Sequence, residues 1–136
     1  MSAARLKASI LANAQEIRRL DARVKETSKL RNRSPEDNRN WQLACEAFHS
    51  NYDTLAFPGG YSDALERIAS SQLEAVESAL CFLEARPYFF RSGYMFKDIL
   101  RKTKRAALTK RQAVRLAVIV AAYEQYRTQR QQASVA

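Results

Sequence analysis

The stretch from Arg86 to Arg115 reads RPYFFRSGYMFKDILRKTKRAALTKRQAVR, and it constrains how the rest of the chain can fold. It begins with an aromatic cluster and continues into a basic run, in which residues 97–115 contain eight Lys or Arg and one acid. The rings of the cluster are Tyr88, Phe89, Phe90, Tyr94 and Phe96. We expect a functional surface in this stretch.

Helical spacing predicts a helix from Ser92 to about Lys104. One face carries the apolar residues and an adjoining face carries the basic ones, at i, i+4, i+7 and i+8. The apolar residues are Phe96, Ile99 and Leu100, and the basic residues are Lys97, Arg101, Lys104 and Arg105. Part of the aromatic cluster is therefore expected to be core, and part to be surface.

Thr109 and Gln112 form a capping box, which predicts the start of a further helix. Residues 113–123 are apolar almost all round, interrupted by Arg115. Because such a helix is usually enclosed by its neighbours, we expect it to be the buried centre of the fold. Residues 128–136 are polar and are expected to fray.

Two helices are predicted between the first helix and Arg86. Ser34 and Pro35 have the residue types of an N-cap and a first helical position, so a helix should run from there to about Leu55. Residues 57–61 break it, and the next helix is expected from Ser62 to about Glu84 with an acidic outer side. The pair Arg86-Pro87 ends that helix, because the residue before a proline disfavours helix.

A long amphipathic helix is predicted from about Ala3 to Lys29, within residues 1–31. Its apolar positions fit three heptads, with β-branched residues at a and a single polar residue, Asn13, at d. The repeat consists of Leu6, Ile10, Asn13, Ile17, Leu20 and Val24. Two interpretations stay open: packing on its own domain, or projection and pairing with a second copy as a homodimer.

Charge is distributed unevenly along the chain, whose net charge is +9. Residues 1–33 carry a net +6, residues 34–85 a net −7 and residues 86–136 a net +10. The acidic middle can neutralise part of the basic ends, within the fold or across a dimer.

Length and composition predict a single all-α domain over residues 1–136. Hydrophobic residues make up 46%, and only three Gly and three Pro are present, too few for an all-β fold. About five helices are expected, in a bundle or a short stack of helical hairpins. No apolar run reaches the ~20 residues of a membrane span, and no leader-like pattern begins the chain, so we expect a cytoplasmic protein.

The sequence offers little for catalysis or for metal binding. Cys45 and His49 lie one helical turn apart, but a zinc site needs further ligands, and Cys45 and Cys81 are expected to be free buried thiols. Phosphate loops and hydrolase signatures are missing from the sequence. We therefore expect no cofactor, no metal and no enzymatic activity.

The basic run allows three interpretations. Its side chains can be satisfied within the fold, they can hold an acidic protein partner, or they can bind nucleic acid with rings stacking on bases. The preferred hypothesis is an adaptor or an inhibitor of immunity type that meets an acidic protein, and the alternative is sequence-tolerant nucleic-acid binding. The expected contact residues are Arg91, Tyr94, Lys97, Arg101, Lys104, Arg105, Lys110 and Arg111.

Residues 82–108, from FLEARPYFFRSGY through the basic helix, resemble segments of small bacterial all-helical proteins of unassigned function. Some of those proteins look like helical hairpins of the HEAT type. The resemblance implies helical hairpins and a bacterial or phage-related source, and it implies no particular activity.

Overall fold

The computed structural model describes residues 2–135, and the side chains of residues 2–134. This part of the chain is all-α and contains six helices, one more than the sequence predicts. They are α1 (Ala3–Leu30), α2 (Pro35–Ala56), α3 (Ala64–Ala69), α4 (Leu73–Ala85), α5 (Ser92–Thr103) and α6 (Lys110–Val135).

The first two helices form a long hairpin. Ser2 caps α1 by accepting a hydrogen bond from the Arg5 N–H at 3.2 Å, and Ser34 caps α2 by accepting one from the Asp37 N–H at 3.1 Å. Pro35 occupies the first turn of α2, as its fixed φ favours. These local signals confirm the predicted start of each helix.

The heptad face of α1 lies inside its own chain. Ile10, Ile17 and Leu20 are buried, while Leu6, Asn13 and Val24 are half-buried. The contacts of α1 are with α2 and α4. Pairing of two chains through this face would therefore require the hairpin to open, and such pairing stays a prediction.

The helix predicted from Ser62 to Glu84 is two helices, α3 and α4. The chain breaks at Ser71, whose φ of +62° is in the left-handed region. The Ser71 hydroxyl accepts a hydrogen bond at 2.9 Å from the Ala107 N–H, which belongs to the connection before α6. A tertiary contact thus accompanies a break that no Gly or Pro marks in the sequence.

The buried centre is α4, and the prediction that residues 113–123 fill this place is wrong. From Ala75 to Leu83, every residue of α4 except Glu77 is buried, and α4 contacts α1, α3, α5 and α6. In α6 the only described residue that is buried is Ile119, whereas Val114 and Val118 are 64% and 65% exposed. Both helices are apolar, but only α4 has neighbours on all sides.

The capping box of α6 is confirmed. The Thr109 hydroxyl accepts from the Gln112 N–H at 3.1 Å, and the Gln112 side-chain oxygen accepts from the Thr109 N–H at 3.0 Å. The helix continues through Val135, past Thr128, where the sequence predicts fraying, and the described side chains beyond Thr128 are exposed. Contacts of α6 with the body are mainly with α4.

Candidate binding cleft

The connection between α4 and α5, residues 86–91, carries most of the aromatic cluster. Arg86 and Arg91 stand at its ends with φ of +47° and +69°, a left-handed conformation that residues other than glycine rarely adopt. The Ser92 hydroxyl accepts a hydrogen bond from the Phe89 N–H at 3.0 Å. Phe89 is buried, whereas Tyr88 and Phe90 on either side of it are exposed. The loop is therefore a tight turn that projects alternate rings into solvent.

Side chains from α1 and α2 hold this loop in place. Arg18 donates a hydrogen bond to the Tyr88 carbonyl, and the Tyr52 hydroxyl donates one to the Phe90 carbonyl at 2.6 Å. The rings of Phe48 and Phe90 also meet edge to face, with their centroids 6.0 Å apart. The backbone that carries the exposed rings is thus held by contacts with α1 and α2.

Arginine guanidinium groups lie over several rings of this region. Arg86 lies 4.5 Å from the ring centroid of Tyr126, and it also contacts Phe96 at 5.1 Å. Arg91 lies 5.8 Å from the ring centroid of Tyr94 and 5.9 Å from that of Phe90. Such stacking orients the cations while their N–H groups can still donate to an acidic ligand.

These parts enclose an open cleft of about 1130 Å³ between α1, the loop at 86–91, α5 and α6, which we call the basic–aromatic cleft. The one acid among its described lining residues is Asp21, and the Asp21 carboxylate is paired with Lys25 at 3.2 Å. Among the described residues, seven basic side chains line the cleft: Arg18, Lys25, Arg86, Arg91, Lys97, Arg127 and Arg130. The cleft is therefore strongly positive.

Three of the eight predicted contact residues, Arg91, Tyr94 and Lys97, line this cleft. The other five lie elsewhere. Arg101 is paired with Asp98 at 3.0 Å, and Arg111 lines a separate cavity of about 410 Å³ near the start of α6. Lys104, Arg105 and Lys110 are exposed outside the cleft.

Sequence reasoning missed the residues that distant helices bring to the cleft. Arg18 and Lys25 come from α1, and Arg127 and Arg130 come from the end of α6. A usable signal existed in α6, because its C-terminal half carries aromatic or basic residues at i, i+3, i+4 and i+7, namely Tyr123, Tyr126, Arg127 and Arg130. No comparable signal marks the residues of α1.

Part of the basic run is neutralised within the fold, as one interpretation of the sequence predicts. Arg115 donates to Glu84 at 2.6 Å and to Glu77 at 2.8 Å, and Lys7 pairs with Glu84 at 3.2 Å. The hydrogen bond from Arg115, with the charge of Lys7, lowers the pKa of Glu84. Burial raises the pKa of the neighbouring Cys81 thiol. This cluster links α6 to α4 and α1. Because Arg115 is paired with two carboxylates, its charge is neutralised within the fold.

Cys45 and His49 give no sign of a shared site. Cys45 is half-buried, and His49 is exposed with its ring in edge-to-face contact with the ring of Phe48. Among the described side chains, no group of three or more His, Cys, Asp or Glu is placed to hold a metal ion. Within residues 2–135, moreover, no helix combines the length and the apolar composition that crossing a bilayer requires.

Comparison with known proteins gives no family. No protein-family model matches the chain, and the searches of curated proteins and of solved structures found no match. The resemblance of residues 82–108 to bacterial helical-hairpin proteins stays an interpretation of the sequence.

Proposed function

We propose that this protein acts by binding rather than by catalysis, and that the basic–aromatic cleft holds an acidic segment of a protein partner. An adaptor or an inhibitor of immunity type fits this activity. A cytoplasmic setting belongs to the same proposal, because Cys45 and Cys81 are free thiols of the kind that a reducing compartment preserves.

The observation that carries the proposal is the charge of the cleft. Seven cations line it, and the one carboxylate among the described lining residues is already paired. A concave surface of one sign focuses its field and attracts segments of opposite charge. Arginine and tyrosine are also the residues that most often anchor protein interfaces.

The state of the rings favours an acidic polypeptide over nucleic acid. Binding of unpaired bases relies on free ring faces. The rings of Phe90, Tyr94 and Tyr126 each already carry a guanidinium group on one side, and among the described exposed rings of the cleft Tyr88 alone has none. Those guanidinium groups are instead well placed to meet carboxylates, which they bind in bidentate fashion.

The chemistry of the lining supports binding without catalysis. It includes no cysteine and no histidine among the described residues, and the Ser92 hydroxyl is engaged by the Phe89 N–H. Nucleophilic catalysis needs a side chain activated by an adjacent base. The lining offers cations, rings and amides for recognition instead.

Fluorescence anisotropy with two labelled probes tests the proposal. The first is a glutamate–tyrosine copolymer, and the second is a single-stranded oligothymidylate of about 20 nucleotides. We expect the copolymer to bind, and we expect the double variant Arg91→Glu/Lys97→Glu to weaken its binding at least about tenfold. The control Lys104→Glu/Arg105→Glu makes the same change of charge outside the cleft and should weaken binding less than about threefold.

Three outcomes would reject the proposal. The first is that the copolymer fails to bind. The second is that the two double variants lower the affinity for the copolymer equally, which would mean that net charge alone attracts it. The third is that only the oligothymidylate binds, with an affinity that falls steeply as salt rises, and this outcome would establish nucleic-acid binding instead.

A further inference from the structure

One face of α6 has no neighbour in the described fold. The side that packs on the body includes Arg115, Leu116, Ile119 and Tyr123. The opposite side presents two largely exposed valines among alanines, flanked by one basic and one acidic residue. This face, which we call the free face of α6, consists of Lys110, Val114, Ala117, Val118, Ala121 and Glu124. Exposed apolar residues grouped in this way indicate an interaction surface.

We propose that the free face of α6 pairs with the free face of a second copy, with the two helices antiparallel about a two-fold axis beside Ala117. The positions of the charges support this arrangement. Lys110 and Glu124 are each seven residues from Ala117, and two helical turns return a side chain to nearly the same face. Each charge therefore lies about 10 Å along the helix from the axis, on opposite sides.

An antiparallel pair makes these charges complementary. Lys110 of one copy comes level with Glu124 of the other, and the two-fold axis repeats the contact, so two ion pairs form. A parallel pair would instead place Glu124 beside Glu124 and lysine beside lysine. Neither Lys110 nor Glu124 has an ion-pair partner among the described residues, so both are available.

The side chains between the two charges suit close packing. Ala117 and Ala121 let the helix axes approach to about 8 Å, and Val114 of one copy lies close to Ala121 of the other. The buried area of a single helix pair is at the low end for protein interfaces. We therefore expect a dimer that dissociates on dilution.

The pairing leaves the basic–aromatic cleft open. Tyr126 and Arg130, which line the cleft, lie on the side of α6 opposite to Ala117 and Ala121, and Arg127 lies between the two sides. A dimer would therefore present two clefts, and an acidic partner with two binding segments would gain affinity from engaging both.

Sedimentation equilibrium from about 1 μM to about 1 mM protein tests this inference. We expect wild type to change from monomer to dimer in this range. Lys110→Glu or Glu124→Lys alone should raise the dissociation constant at least about tenfold, because like charges then face each other. The double variant Lys110→Glu/Glu124→Lys should restore the dimer, because the swapped charges are again complementary.

Glu46→Lys is the matched control, because Glu46 is exposed on α2 and its replacement makes the same change of charge. It should leave the dissociation constant unchanged. A wild type that stays monomeric throughout overturns the inference. A dimer that Glu124→Lys leaves intact, or a double variant that fails to restore it, also overturns the inference, since pairing would then use another face such as that of α1. Circular dichroism of each variant checks that the helices remain folded.

Discussion

Arg86 and Arg91 line the cleft with their side chains, and each has a backbone conformation that glycine would adopt more easily. Both have positive φ, which costs an L-residue about 1–2 kcal/mol. Unfavourable backbone conformations persist where the surroundings hold them in place, and they concentrate at functional sites. The conformation of Arg91 therefore supports a role of its side chain in binding.

The substitution Arg91→Gly is expected to change the stability of the protein and its affinity for the acidic copolymer in opposite directions. We expect the free energy of unfolding to rise by about 0.5 kcal/mol, because glycine adopts this φ freely, while affinity for the acidic copolymer falls about tenfold. Urea denaturation and anisotropy measure the two effects. Ser71→Gly is the control, since it relieves a similar φ but removes the hydrogen bond from Ala107, and it should not stabilise the protein. An unchanged affinity for Arg91→Gly would contradict the role of this arginine.

At the scale of the helices, the capping residues in the sequence predict where helices begin. The starts of α2 and α6 were predicted correctly, because Ser34 and Thr109 act on N–H groups three residues away. The break between α3 and α4 was not predicted, because it is accompanied by a contact between Ser71 and Ala107, which lie 36 positions apart. Capping hydrogen bonds within a few residues mark where these helices begin, whereas a tertiary contact accompanies the point where one predicted helix is interrupted.

The burial of α4 and the exposure of α6 illustrate the same limit. Both helices are rich in apolar residues, and composition alone does not say which of them is enclosed. The clue in α6 was Arg115, which reaches Glu77 and Glu84 on α4 from a half-buried position. Arginine is almost never fully buried, so the side of α6 that carries Arg115 is expected to reach the surface.

The ion pairs of Glu84 should make stability depend on pH. The pKa of Glu84 is lower in the folded protein than in the unfolded chain, so its contribution is present at neutral pH and is lost as the pH falls through the folded pKa. We expect Glu84→Gln to lower the free energy of unfolding by about 1 kcal/mol at pH 7, since the pair is only partly exposed. This difference should vanish at acidic pH, well below the usual pKa of glutamate.

Urea denaturation of wild type and Glu84→Gln between neutral and acidic pH measures this effect. Glu46→Gln, which replaces an exposed carboxylate on α2, should differ little from wild type at any pH. A Glu84→Gln deficit that persists at the acidic end would show that the side chain acts through packing rather than through charge.

At the scale of the whole molecule, the fold sorts the charges that the sequence separates into three segments. Acids of the middle segment, Glu77 and Glu84, meet basic residues from both ends, Lys7 and Arg115. The cleft is lined entirely by the two basic segments, from Arg18 to Lys25 and from Arg86 to Ser134, and by no residue of 34–85. Two acids of the middle segment thus neutralise Lys7 and Arg115, while the two basic segments converge on the cleft.

This convergence explains why the sequence predicted only part of the cleft. Arg91, Tyr94 and Lys97 lie in one loop and the helix that follows it, so their proximity is visible in the sequence. Arg18 reaches the Tyr88 carbonyl across 70 positions, and Arg86 stacks on Tyr126 across 40. Contacts of this kind depend on how the helices pack.

The most direct test of the account is an NMR titration that locates the acidic ligand on the molecule. Amide spectra are recorded as the glutamate–tyrosine copolymer is added to the protein. We expect shifts to concentrate at Tyr88, Arg91, Lys97 and Arg127, and we expect Lys104 and Arg105 to stay unchanged. Shifts spread evenly over all basic residues, or centred on Lys104 and Arg105, would contradict the assignment of the cleft as the binding site.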